Sequence, residues 1–247
     1  MVGFDQTKLL HRRTTGPLHL TGYAAKIHGY DYKLVQVQNM GSRYGTWAKV
    51  PAIREFLEHY QFVVFLDADV ILTYPHLPLE WLFNYWAMHP QTLVAMAADP
   101  TEPVNDDERG NTFLNTGFVI AQRSVRTMEL LRAWENCPGE SQYQNCAHWV
   151  THWPHEQGAF GTYLRYDFNR SSDIKVLPCA EANGCPNAAH TGCVGKFVRH
   201  YWYSKNSVTP AVDQSIQRYF LPYLHHAFLR DAQLDVLALE PENMAQD

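Results

Sequence analysis

The sequence has no apolar run approaching the roughly 20 residues that a membrane-spanning helix needs. Its first thirty residues hold no apolar leader core, so secretory targeting is expected only from a segment absent from this chain. Charge is scarce, with 18% charged residues and a net charge of -5. That balance gives no electrostatic reason to bind nucleic acid or an anionic membrane, and no nucleic-acid partner is expected. No internal repeat or low-complexity segment is present. Cysteine is absent before Cys137, and Cys146, Cys179, Cys185 and Cys193 complete the set. In an oxidising compartment these give one or two disulfides and at least one free thiol. A zinc site of Cys179, Cys185, Cys193 and His190 is the competing reading, but the spacings lack any Cys-x-x-Cys.

What is present is a globular composition: 247 residues, 46% of them hydrophobic, enough for one large domain with a sizeable core. The 13 histidines and 13% aromatic residues suit stacking on sugars or bases, and suit core packing equally. The chain is organised around Gln61 to Leu72. Phe62 to Leu66 is a continuous apolar run that reads as a strand buried on both faces. It leads into Asp67 and Asp69, which on an extended backbone project to the same side. Two converging carboxylates are costly alone, and a hard divalent cation, Mn²⁺ or Mg²⁺, removes the cost. Ligands also bind beyond the carboxyl ends of strands in open α/β sheets. The alternatives are a plain turn and a phosphatase nucleophile, since a strand running into Asp-x-Asp resembles the motif of haloacid-dehalogenase-type phosphatases. Against the latter, the motif lies far from the N-terminus and no Gly-Asp-x-x-x-Asp follows.

Helices are predicted over Leu20–His28, Trp47–Tyr60 (capped by Thr46), Leu79–Met88, Ser124–Trp134, Pro154–Leu164 and Ala211–Leu234, the last interrupted at Pro222. Val125, Met128, Leu131 and Trp134 form the expected inner face of the fourth. Strands are predicted over Asp31–Val37, Phe62–Leu66, Thr92–Ala97, Phe118–Ala121, Ile174–Leu177 and Phe197–Trp202. The first strand, the helix after it and the next strand form a parallel crossover. The acidic stretch Thr101–Gly110 and Ala180–Gly195 read as loops. Residues 1–21 are expected to be poorly structured, 22–236 to form the domain, and 237–247 to be a polar tail. Asn169-Arg170-Ser171 is a glycosylation sequon.

Tyr23-Ala24-Ala25-Lys26-Ile27-His28-Gly29-Tyr30, Trp47-Ala48-Lys49-Val50, Asp67-Ala68-Asp69, Asn115-Thr116-Gly117, Glu156-Gln157, and His200 with Lys205 occur in an order that resembles glycosyltransferases of the GT-A fold. The chain looks most like the galactosyl/mannosyl transferase family, glycosyltransferase family 34. The resemblance implies an α/β fold with a mostly parallel central sheet flanked by helices. It implies retaining transfer of a hexose or pentose from a UDP- or GDP-sugar to a glycan or other hydroxyl acceptor. It also implies Mn²⁺ or Mg²⁺ held by Asp67, Asp69 and His200, and Golgi localisation through a membrane anchor outside this chain. Lys49, Asp67, Asp99, Asn115 and Lys205 are the implied donor-binding residues, and Glu156 and Gln157 stand beside the anomeric carbon. His190 with Lys196 rivals His200 with Lys205. The resemblance departs at the start, where no strand of the GT-A kind precedes Tyr23. An inactive GT-A-like protein that binds carbohydrate or a partner is therefore the alternative.

Overall fold

The computed structural model describes residues 19–35 and 40–232. The expected N-terminal segment up to residue 18, part of the first predicted strand and the polar tail lie outside the described residues. Helix α1 (His19–His28) stops at Gly29, whose φ of 71° is the left-handed conformation that ends helices. Residues 31–35, predicted as a strand, are not in one, so the expected parallel crossover is not formed by the described residues. The second helix also starts later than predicted. Gly45–Ala48 is a 3-10 turn, Thr46 caps nothing, and α2 spans Lys49–Leu57.

The central sheet contains β1 (Phe62–Leu66), β3 (Val94–Ala98), β4 (Leu114–Gln122) and β5 (Ile174–Leu177) in the order β1-β4-β3-β5. β3 and β5 are parallel, and β4 is antiparallel to both its neighbours. Thus β1, β3 and β5 share one direction, as the parallel reading expects, while β4 makes the sheet mixed. The carboxyl ends of three strands and the amino end of β4 therefore meet along one edge. A second, two-stranded sheet pairs β2 (Val70–Leu72) with β6 (Val198–His200).

Each strand alternates between two apolar clusters, as a sheet covered on both faces requires. Val63, Met96 and Val119 face α2 and α4 (Val125–Asn136), where Ile53, Leu57, Leu130 and Trp134 are buried. Val64, Ala95 and Ile120 face the other way, toward α1 and α3 (Leu79–Tyr85). Ser124 caps α4 by accepting from Thr127 N, but Val125 points to solvent, 78% exposed. The helix starts one residue later than predicted, and Thr127, Leu130, Leu131 and Trp134 are its buried residues.

The chain continues through α5 (Glu156–Ala159), a π turn (Phe160–Leu164), α6 (Arg165–Asp167), α7 (Cys179–Ala182), α8 (Val208–Tyr219) and α9 (Leu221–Asp231). The predicted break near Pro222 falls at Phe220. Disulfides join Cys137 to Cys146 and Cys179 to Cys193, and Cys185 is a buried free thiol. The first of the two expectations for the cysteines is thus the one found, and the pairing of Cys179 with Cys193 removes the zinc alternative. No helix among the described residues is long and apolar enough to cross a membrane.

Candidate active site

β1 ends at Leu66, and Asp67-Ala68-Asp69 is a turn closed by Val70 N donating to Asp67 O at 3.0 Å. The carboxylates converge through this turn, not through strand alternation as the sequence suggested. β6 then delivers the third member. Its residue His200 sits opposite Val70 in the β2–β6 register, one step from Asp69. One donor atom each of Asp67, Asp69 and His200 lies within 4.8 Å of the others. His200 Nε2 is 3.3 Å from Asp69 Oδ1, and Lys205 Nζ is 3.5 Å from Asp69 Oδ2 with its side chain 75% exposed. His190 is outside this cluster; it is exposed and faces Glu102 at 4.0 Å.

Opposite this turn, β4 bulges. The register of β3 on β4 jumps from Met96↔Val119 to Ala97↔Asn115, so extra residues are carried out of the ladder at Thr116–Phe118. Gly117 is required there. A Cβ would lie 2.3 Å from His200 Cε1, so the imidazole rests directly on the glycine backbone.

Asp99, just beyond β3, is buried and orders the site from behind. It accepts from the amides of Asn115 (2.9 Å), Asn183 (3.0 Å) and Gln157. Each amide oxygen then accepts a second hydrogen bond: Asn115 from Gly117 N (2.8 Å), Gln157 from Thr116 N (3.2 Å), and Asn183 from His200 Nδ1 (3.1 Å). Burial pushes the Asp99 carboxyl up from its ordinary value, against the pull of the three amides. Because Nδ1–H is committed to Asn183, Nε2 is the nitrogen left facing the carboxylates. That orientation is the one a metal-ligating histidine needs. The donor set of two carboxylate groups and one imidazole suits a hard to borderline divalent cation.

Lys49, the first residue of α2, is 5% exposed, and its ammonium bridges Glu156 at 3.0 Å and Asp67 at 3.1 Å. It also reaches Thr116 Oγ1 at 3.2 Å. Burial disfavours its charge, but the two carboxylates outweigh that and raise its pKa. Glu156 is 2% exposed. Burial acts to raise its pKa, and Lys49 reverses the direction, so it is lowered. Thr116 Oγ1 donates to Glu156 Oε1 at 2.8 Å, and the hydroxyls of Thr116 and Thr46 both help hold the Glu156 pKa down. Asp69 is likewise pushed up by burial but held down to about 2 by His200 and Lys205.

These residues line a cleft of about 900 Å³ that also exposes Tyr44, Trp153, Trp202 and Tyr203. A second cavity of about 260 Å³ lies between Tyr32–Val35, α2 and β1, and shares Thr46, Lys49, Asp67 and Ala68 with the cleft. Asp67, Asp69, Asp99, Asn115, Glu156, Gln157, His200, Lys205 and Lys49 are therefore all brought together. Asn183 and Thr116 were not singled out from the sequence. Asn183 carried no signal, lying in a stretch read as loop, and Thr116 was hidden inside the Asn-Thr-Gly triplet.

Carboxylates and an imidazole gathered beyond the strand ends of an α/β sheet, over an open cleft, define a ligand-binding protein of the α/β nucleotide-handling class. The nucleotide-diphospho-sugar transferase family matches residues 27–224, and the chain belongs to it. It is thus a glycosyltransferase with a GT-A-like fold that takes a nucleotide-sugar donor, and the phosphatase alternative falls. Among solved structures, it is similar to a glycosyltransferase involved in glycosylation of the major capsid of PBCV-1. That likeness has a TM-score of 0.57 and 16% identity, over 78% of this chain and 89% of that one. Mouse xyloside xylosyltransferase 1 in its apo form is also similar, with a TM-score of 0.43 and 13% identity, over 76% and 74% of the two chains. No curated protein sequence matches the chain.

Proposed function

We propose that this chain is a Mn²⁺-dependent glycosyltransferase that moves a hexose or pentose, with retention, from a UDP- or GDP-sugar to a glycan acceptor. The Asp67–Asp69–His200 cluster at the mouth of the cleft carries the reading. These three residues hold the cation, which when bound neutralises charge developing on the departing diphosphate. Lys205 reaches the same diphosphate; its exposed, flexible ammonium 3.5 Å from Asp69 is free to turn toward phosphate. The smaller cavity beyond Asp67 takes the nucleoside. Asp99 lines the cleft among the donor-binding residues and also acts through Asn115, Gln157 and Asn183, whose amides it holds.

Glu156 and Gln157 line the cleft side by side where the donor sugar would lie. A carboxylate kept ionised by Lys49 stabilises positive charge at the anomeric carbon. Lys49 thus supports the donor site by fixing Glu156 and Asp67, with its own hydrogen bonds already used. The two disulfides support a secretory, Golgi-type lumen for the mature protein.

The test is calorimetric titration of UDP and GDP, with and without Mn²⁺, into the wild type and Asp69→Ala. Mn²⁺-dependent binding of one nucleotide, lost in the variant, is expected. Metal-independent binding, or none, sinks the proposal. Binding without hydrolysis or transfer of any nucleotide sugar identifies the inactive carbohydrate-binding protein instead.

A further inference from the structure

Beside the cleft lies a cavity of about 460 Å³ that the proposed chemistry does not use. The two meet at Val104, Trp153 and Pro154, which line both. Trp153 stands at the junction with 58% of its surface exposed. A large aromatic left that open beside a cavity is a contact surface in search of an apolar face.

The inner wall of the cavity is built for rings. Gly158 follows directly on Glu156 and Gln157, and a Cβ there would lie 2.4 Å from the Trp149 ring. Gly161, one turn on, would place its Cβ 2.2 Å from Phe113. Both aromatic rings therefore seat against the helix backbone, and they meet edge to face with centroids 6.3 Å apart. The Trp149 carbonyl accepts from the Trp47 indole at 3.0 Å, tying the wall to the buried 3-10 turn that precedes α2. One helical segment thus aims Glu156 and Gln157 into the cleft and supports the aromatic wall of its neighbour. The spacing between the two is fixed by that segment.

The polar lining says what fits. Glu108, Asn145 and Thr162 line the cavity, and among the described residues their side chains form no hydrogen bond. Asp106, Asp107 and Glu108 line it with His148 as the sole basic side chain of the lining, and with Arg165 acting only on Asp107 from outside it the balance disfavours an anionic ligand. Stacking faces combined with free hydroxyl, amide and carboxylate groups match a neutral sugar, whose C–H face stacks on indole and whose hydroxyls donate to carboxylate oxygens.

We infer that this cavity is a second acceptor subsite, holding the next residue of a neutral oligosaccharide whose terminal sugar sits in the cleft. The inference rests on the transferase reading. Trp153 is the platform across which the chain passes, and acceptors of two or more sugars are selected over monosaccharides.

The test is calorimetry and tryptophan fluorescence with xylo-, manno-, gluco- and galacto-oligosaccharides of one to four residues. One series should bind about tenfold more tightly as trisaccharide than as monosaccharide. Trp153→Ala should erase that length dependence. Thr162→Phe, which fills the cavity from its rim, should erase it too, and either variant that keeps the wild-type melting temperature suffices to judge. Equal affinity for all lengths, length dependence surviving both substitutions, or binding of none of the four series each overturns the inference. Hydrolysis of UDP- and GDP-sugars by the wild type is measured separately. Its absence alongside length-dependent binding removes the transferase reading and leaves the cavity an oligosaccharide site.

Discussion

Lys49→Met isolates the buried charge network on which the site is built. The substitution keeps the aliphatic stem and removes one ammonium from between Glu156 and Asp67, at 3.0 Å and 3.1 Å. Asp67 is 28% exposed and regains water, whereas Glu156, at 2%, does not. Removing one partner of a buried pair costs about 3–5 kcal/mol, because the other charge is stranded. Protonation limits the loss: neutralising a carboxyl of ordinary pKa near 4.3 at pH 7.5 costs about 4 kcal/mol. The expected loss at pH 7.5 is therefore about 4 kcal/mol, or a fall of about 10 °C in melting temperature. In the wild type the lowered pKa of Glu156 means its contribution is present above the ordinary carboxylate range and is lost as pH falls through the depressed value. In the variant burial, the largest influence on Glu156, is opposed only by the Thr46 and Thr116 hydroxyls and raises that pKa, so the deficit should shrink to under about 2 kcal/mol at pH 5.5. Glu156→Gln added to Lys49→Met should recover most of the stability at pH 7.5. Urea unfolding of the wild type, Lys49→Met, Glu156→Gln and the double variant at both pH values is the assay. A loss below about 1 kcal/mol, a loss independent of pH, or no rescue by Glu156→Gln refutes the account.

Asn183→Leu should leave His200 without its Nδ1 acceptor and weaken Mn²⁺ binding by about 10–100-fold, read by electron paramagnetic resonance of free Mn²⁺; unchanged affinity removes Asn183 from the site. Gly117→Ala should displace the imidazole that its Cβ would meet at 2.3 Å, shifting the His200 ring signals in NMR and weakening Mn²⁺ binding, and unmoved signals would contradict the packing. Cys193→Ala opens a loop of sequence separation 14 and should cost about 3 kcal/mol in non-reducing urea unfolding. The pKa of Asp69, held down to about 2, means stability present above the ordinary carboxylate range and lost as pH falls toward that value. In EDTA, the advantage of wild type over Asp69→Asn should therefore amount to no more than about 2 kcal/mol at pH 6 and disappear near pH 2, and a gap that widens on acidification would reverse the sign.

The parts of this site that the sequence revealed are those where one residue type at one place has a direct chemical reason. Asp67 and Asp69 follow an apolar run, and an apolar run with carboxylates at its end is rarely neutral in meaning. Asn115-Thr116-Gly117 and Glu156-Gln157 were legible through their order, although not through their geometry. What could not be read is what depends on contacts between distant segments. The β4 bulge arises from how β3 and β1 both pair with one strand, and no local pattern announces it. The sequence puts Lys49 at a helix start with an implied donor contact, and nothing local to it announces that two carboxylates from distant segments bury its ammonium between them. Asp99 is the sharpest case. Its place after a strand suggests a donor contact, and no local pattern shows that its three amide partners come from positions 115, 157 and 183, two of which then hold Gly117 and His200 in place. A buried acid of this kind sets the orientation of others, and such a role exists only once the fold has closed. It follows that the ordering of the site depends on the loop between Cys179 and Cys193, which supplies Asn183 and, through Gly184 O accepting from His200 N at 2.8 Å, also supports the histidine backbone. The disulfide and the Asp67–Asp69–His200 cluster are thereby one mechanical unit, and reduction should loosen His200 before it unfolds the sheet.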